Sequence, residues 1–418
     1  MRFFKACIIL TVIVFNSCDF NNTAVIWTDS PEFAVYGDVF NTAQNQYKIS
    51  VRYVEFPGAT LLTGGGKTDV PDAVIAKWLK NSSMNTAFSS LNDLFGTNKL
   101  SRNNFYPRLL ALGRIDRHQY LLPVSFNIPA LIFSKNAENE FPWFNLSNQF
   151  TVDFTELKKL SRSYNLMSRG AYTRMGFSPL WNDNFLFITA VLQGAAFREA
   201  SPLTWDPITL EKSMIFVNDW TKEINTNSYT DDEFTYKYFI EPPEKLIQSG
   251  RILFSYMESN ALFALSEEGK SNLDFRWLME QSRIPIAEDY IYIGIPKKAK
   301  SKKAAGAFIQ WFFKVDSQRQ LMEFSKNYNL DDNVFGICGG FSSLTQVTEQ
   351  VYPLFYPELL GRMPPPENFT LPNIMPGSWG TMKERVMLPY LRERARKEST
   401  EEIYPLNSRL NDWIRQNR

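Results

Sequence analysis

The sequence predicts an α/β protein with a mostly parallel sheet buried on both faces. Three observations carry this. Charge-free apolar runs alternate with stretches of helical periodicity. Their order at the start is strand, helix, strand, strand. The chain is 418 residues long and 44% hydrophobic, ample for a large core without a metal or disulfide staple.

Taken in order, Thr23 to Thr28 (TAVIWT) is a short β-prone run. Phe33, Tyr36, Val39, Phe40 and Ala43 recur at helical spacing across Glu32 to Gln44. Ile49 to Phe56 alternates as a strand, and Pro71 to Ala76 reads as a buried strand. Leu121 to Ser134 is a long extended segment interrupted by Pro123 and Pro129. Leu157 to Tyr164 and Asn184 to Gln193 are helical, whereas Arg251 to Met257 and Tyr290 to Ile295 are strands. Ala305, Phe308, Ile309 and Phe312 share one face of a helix opening near Lys302. Ser399 and Glu402 fit a capping box for a terminal helix, with Pro405 set to kink it or delay its start. Trp27, Trp220, Trp311 and Trp413 lie in apolar runs or on helical stripes and are expected in the core.

Composition narrows the function. Lys+Arg number 45 and Asp+Glu 44, so no basic surface of the kind that drives nucleic-acid binding is expected. A single His, His118 in a polar turn, offers no metal site and weakens His-dependent catalysis. Residues 1–17 have a secretory signal layout, with Arg2 and Lys5 before a ten-residue apolar run ending at Phe15. That run is too short to span a bilayer. Phe15-Asn16-Ser17-Cys18 resembles a bacterial lipobox with Phe in place of the usual Leu, which makes Cys18 the lipidated residue and 18–22 a linker. Cys338, between Gly336 and Gly340 with no His near in sequence, reads as a buried or loop thiol.

Some motifs tempt without fitting. Thr63-Gly-Gly-Gly-Lys-Thr68 has Leu61 where a phosphate loop needs its first Gly, and Val70-Pro71 leads into a strand rather than a helix. It reads as a glycine turn. The run Lys297, Lys298, Lys300, Lys302 and Lys303 reads as a solvated loop and helix start. No hydrolase signature picks out a pair of carboxylates, so no catalytic residue and no cofactor are assigned.

Four stretches, Ala24-Val-Ile-Trp-Thr-Asp29 with its helix, Leu122 to Phe133, Gly250 to Asn260 and Tyr292 to Phe312, are joined by Leu371 to Trp379 and the terminal helix. In order and spacing they resemble the extracellular solute-binding proteins of bacterial ABC importers, in the sugar-binding group of the maltose-binding-protein type. The resemblance implies a two-lobe periplasmic-binding-protein fold, type II-like, with hinge crossings near 124–129, 290–296 and 334–340. Lobe one would hold 23–126 plus 291–335, and lobe two 127–290 plus 336–418. It implies a monomeric, lipid-anchored protein facing the periplasm or exterior, partnered by a sugar and by ABC permease subunits, with no catalysis.

The resemblance also suggests ligand contacts at matching loop tips. Sugars offer hydroxyl edges to planar polar groups and C–H faces to aromatic rings. Asp29 and Glu32 either hydrogen-bond hydroxyls or serve the N-terminus of the helix that follows. Lys77 and Trp78 follow a strand. Asn127 sits at the first crossing, where some members use a carboxylate. Trp181, Asp183 and Asn184 precede an apolar helix, where Asp183 could equally be a cap. Glu258, Ser259 and Asn260 end the strand Arg251 to Met257, with Asn260 in place of a frequent aromatic. Trp78 and Trp379 either stack on sugar or pack against helices. Alternatives are a binding lipoprotein for a polyol phosphate, polyamine or peptide, an exported carbohydrate-active enzyme, and a surface adhesin.

Overall fold

The computed structural model describes residues 22–63, 70–146, 148–329, 334–397 and 402–416. The signal segment, Cys18, most of the glycine turn at 63–68, and Ser399 of the capping box lie outside the described residues.

Two sheets organise the chain. The first has six strands in the order Phe341–Ser342, Leu122–Phe126, Ile291–Gly294, Ala73–Ala76, Thr23–Thr28, Lys48–Tyr53. Thr23–Thr28 pairs parallel with both Lys48–Tyr53 and Ala73–Ala76, as the strand–helix–strand pattern predicts. The remaining pairs are antiparallel, so the sheet is mixed rather than mostly parallel. The reason is connectivity. Ile291–Gly294 enters from the second sheet and runs against both its neighbours. The second sheet has the order Ser255–Glu258, Pro129–Ser134, Leu273–Leu278, Thr151–Val152, with one parallel pair.

The sequence periodicities map onto real faces. Helix Glu32–Ala43 buries Phe33, Tyr36 and Phe40, and helix Lys302–Phe312 buries Ala305, Phe308, Ile309 and Phe312. The two helices interlock through aromatic rings, with Phe40 edge-on to Phe308 at 5.4 Å. Behind the second sheet, Asp183–Leu192 is buried nearly all round and packs against Pro207–Asn225 and Leu388–Arg396. Trp27 and Trp220 are buried, while Trp311 and Trp413 are partly buried against the cores. Pro405 delays the last helix to Leu406–Gln416. Pro389 lies in a longer helical run whose middle, Lys383–Met387, widens into a π-turn. A proline has no N–H to return to residue 385, so the ladder must readjust there.

The extended segment 121–134 is two strands in two sheets, parted by Asn127 and Ile128. Asn127 ties the crossing together. Its Nδ2 donates to Gly339 O (3.0 Å), its Oδ1 accepts from Ser259 Oγ (2.7 Å), and its carbonyl accepts from Ala287 N (2.9 Å). Ser259 Oγ also accepts from Ile128 N (3.2 Å). Gly340 permits this approach, because a Cβ there would lie 2.8 Å from Phe126 O. Residues 336–340 form a tight loop in which Cys338 is buried at φ +52°. Phe341–Ser342 still pairs with Leu122–Phe126, so the chain has not left the first sheet at 335, the expected limit of the first lobe.

Removing the Ser259 hydroxyl should therefore loosen the crossing. Ser259→Ala is expected to cost about 1–3 kcal/mol, since it strands a buried amide oxygen and a buried N–H. Urea unfolding of Ser259→Ala beside the exposed control Ser168→Ala would check this, the control changing by no more than about 0.5 kcal/mol.

Candidate functional site

A cleft of about 470 Å³ opens between the two sheets, within the range of small-molecule sites. From the first sheet it takes Asp29, Lys77, Trp78 and the helix start at Phe56 to Ala59; from the second, Asn184, Glu258 and Lys383; from the segment between sheets, Glu288 and Asp289. An inner recess of about 210 Å³ continues past Lys77 to Glu32, Asn127, Asn260 and Cys338.

Strand ends place these groups. Asp29 follows Thr23–Thr28, Lys77 and Trp78 follow Ala73–Ala76, and Glu258 ends Ser255–Glu258. The chain turns sharply at Trp78, whose φ is +60°, a conformation that a bulky residue rarely adopts. The turn lays the indole across to the other lobe, where it packs on the second core and over Gly380. A Cβ at Gly380 would lie 3.1 Å from Trp78 Nε1, so glycine gives the ring its room. Ser82, donating from N (2.8 Å) and Oγ (3.1 Å) to the Glu199 carboxylate, makes a second bridge between the lobes.

The electrostatics centre on two consecutive acids. Asp289 accepts from Lys77 Nζ at 2.7 Å. Glu288 is ion-paired with Lys383, whose ammonium also lies 4.6 Å from the centre of the Phe187 ring. Burial alone pulls both lysines down, but the neighbouring carboxylates outweigh it and hold both ammoniums above the usual range. Burial pushes Asp29 up to about 6 against the pull of Lys77. Glu32 is also raised by burial. Glu258 is raised to about 8, first by burial and then by Asp289 and Glu288, with Lys383 and Lys77 opposing.

Of the residues singled out from sequence, Asp29, Lys77, Trp78, Asn184 and Glu258 line the cleft, and Glu32, Asn127 and Asn260 line the recess. Helix Glu32–Ala43 has Pro31 at its cap and no side-chain cap bond, while Glu32 stands in its first turn, where a negative charge suits the helix start. Four residues stand elsewhere. Ser259 is fully buried in the crossing. Trp181 stacks on Phe234 and donates Nε1 to Asp231 (2.9 Å), outside both cavities. Asp183 is ion-paired with Arg392, and the helix cap is Asn182 instead. Trp379 is 0% exposed and packs against Phe187 and Phe197, so it is a core residue rather than a platform. Phe187 and Phe197, from a distant part of the chain, claim this ring, a fact no local pattern displays.

Sequence reading passed over Glu288, Asp289 and Lys383. Two adjacent acids immediately before the return strand were the available signal for the first two. Lys383 carried none, because its partner Glu288 lies 95 residues away in sequence.

The raised carboxyls fix a pH dependence. Asp29 and Glu258 hold protons more tightly folded than at their ordinary values of 3.8 and 4.5. Their contribution to stability is complete below those values. It is lost as pH rises through about 6 for Asp29 and about 8 for Glu258. Glu258→Gln should thus melt higher than the parent at about pH 8 and match it near pH 4. Melting curves across that range check the sign.

No family model and no curated protein matches the chain. Solved structures do. One is an ABC substrate-binding protein from Listeria monocytogenes in complex with cycloalternan, at 14% identity and TM-score 0.60, covering 94% of this chain and 98% of that one. Another is the cyclic alpha-maltosyl-1,6-maltose binding protein of Arthrobacter globiformis, at 15% identity and TM-score 0.61, covering 93% and 96%. A third, CpMnBP1 with mannotriose bound, is 12% identical at TM-score 0.57, covering 95% and 100%. At such identities it is the architecture that is shared: the chain has the two-lobe fold of these substrate-binding proteins.

Proposed function

We propose that this chain is the substrate-binding lipoprotein of an ABC importer, capturing a mono- or oligosaccharide between its lobes and delivering it to the membrane permease. The observation that carries the reading is the cleft itself. Both lobes line it with planar polar groups, and one indole flanks it. Carboxylates and amides suit hydroxyl edges, and Trp78 suits the C–H face of a sugar ring. The sugars named with the three similar structures favour the same class. The role is binding, with no bond broken. Closure would be a hinge motion about the crossings near 127–128 and 287–290, favoured by a ligand that touches both lobes.

Export and anchoring complete the proposal. Residues 1–17 would be removed and Cys18 lipidated, holding the protein at the outer face of a membrane. Among the described residues no helix is long and apolar enough to cross one.

A thermal-shift screen against mono-, di- and trisaccharides tests the binding role. A ligand at 100 times its dissociation constant adds about 2.7 kcal/mol. Trp78→Ala is expected to weaken the hit roughly tenfold. Trp379→Ala should instead lower stability by about 3–5 kcal/mol, its effect on affinity following from unfolding alone. A screen without any sugar hit would remove the reading. Anchoring is checked separately by metabolic labelling with a radioactive fatty acid. The parent should take up label and Cys18→Ala should not; equal labelling would exclude Cys18.

A further inference from the structure

We propose that Ser82 and Glu199 form a latch that ties one lobe directly to the other, holds the cleft shut without help from a ligand, and so sets how often a ligand enters or leaves. The inference concerns the motion of the lobes rather than the sugar, and its test needs no sugar, so either reading can fail alone.

Ser82 donates from N and from Oγ to Glu199, one bond to each carboxylate oxygen, at 2.8 and 3.1 Å. Hydrogen bonds to an ionised acceptor are stronger than neutral ones. Each partner is pinned within its own lobe. In the first lobe Leu79 is buried, and Asn81 closes the turn, its Oδ1 accepting from Ser83 N (2.9 Å) and its carbonyl from Met84 N (3.1 Å). In the second, Glu199 lies on a two-stranded ribbon, Arg198–Glu199 against Leu203–Thr204, and its own N donates to Ile374 O (2.6 Å). A bond between two anchored segments therefore joins lobes rather than loose loops. The second lobe also leaves room for the loop 78–82. A Cβ at Gly377 would lie 3.9 Å from Asn81 Nδ2, and one at Gly380 3.1 Å from Trp78 Nε1.

This bridge differs in kind from the ion pairs of the cleft. Lys77 and Lys383 both end on the connecting segment, at Asp289 and Glu288, so a hinge motion can carry either pair along with one lobe. Ser82 and Glu199 belong to opposite lobes with no connecting segment between them. Opening must break their bonds. Neither residue lines the cleft or the recess, so the latch is made by protein alone and acts alike on every ligand. Ser82 is exposed, so water competes for the bonds and keeps the latch reversible. A ligand enters only through the open form, and the apparent affinity falls with the share of protein held shut.

Small-angle X-ray scattering of the protein with no sugar added tests this, with far-UV circular dichroism beside it. Glu199→Ala removes both bonds. Its radius of gyration is expected to shift upward while its circular dichroism stays that of the parent. Glu199→Gln keeps an acceptor oxygen, and Ser82→Ala keeps the N–H bond, so both should shift less than Glu199→Ala. An unchanged radius in Glu199→Ala overturns the latch. Should Glu199→Ala expand only with loss of its circular dichroism, it has unfolded, and the two milder variants decide. Expansion of either with its dichroism intact supports the latch, and expansion of neither overturns it. A sugar screen without a hit would leave these results standing.

Discussion

The architecture depends on one buried amide. The Asn127 side chain holds the carbonyl of Gly339 and the hydroxyl of Ser259, and its backbone carbonyl accepts from Ala287 N, so three distant stretches of chain meet at one residue. One apolar cluster runs through both sheets, from Ile26 and Ile293 in the first to Ile132 and Trp277 in the second. Apolar contact such as Trp277 against Phe341 brings the sheets together, and this small set of directional bonds fixes the backbone where strands change sheets. Burial strengthens such bonds and makes their loss costly. The glycine at 340 belongs to the same device, since a side chain there would collide with the backbone of Phe126.

The cleft inherits its chemistry from that geometry. The segment leaving Ala287 delivers Glu288 and Asp289 directly into the space between lobes. One acid meets a lysine from each lobe, Asp289 with Lys77 and Glu288 with Lys383. The connecting segment is thus ion-paired to both halves, and any hinge motion must carry or rearrange those pairs. Glu258 sits among them with no ion pair among the described residues, and the cleft is rich in acid although the whole chain is almost neutral. Trp78 and Ser82 reach across from the first lobe to the second and bring the walls together on one side.

The sequence by itself determined the elements. Spacing at Phe33, Tyr36 and Phe40, and at Ala305, Phe308 and Phe312, marked helices that the sheet buries as expected. Apolar or alternating runs marked the strands, and strand ends marked where polar groups such as Asp29, Lys77 and Glu258 emerge into the cleft. These signals are local, set by side-chain periodicity and by where a strand must stop. Tertiary structure alone decided the rest. The sheet is mixed because strands return from the other lobe, and the segment 121–134 divides between sheets at Asn127. Trp379, Trp181 and Asp183 have the chemistry of site residues but were claimed by a core, a ring stack and an ion pair with partners far off in sequence. Lys383 became a site residue because packing of its helical run brings it to Glu288, far off in sequence. An aromatic or charged side chain does not show in sequence which partner it will meet; that choice is made by packing between segments 50 to 209 residues apart.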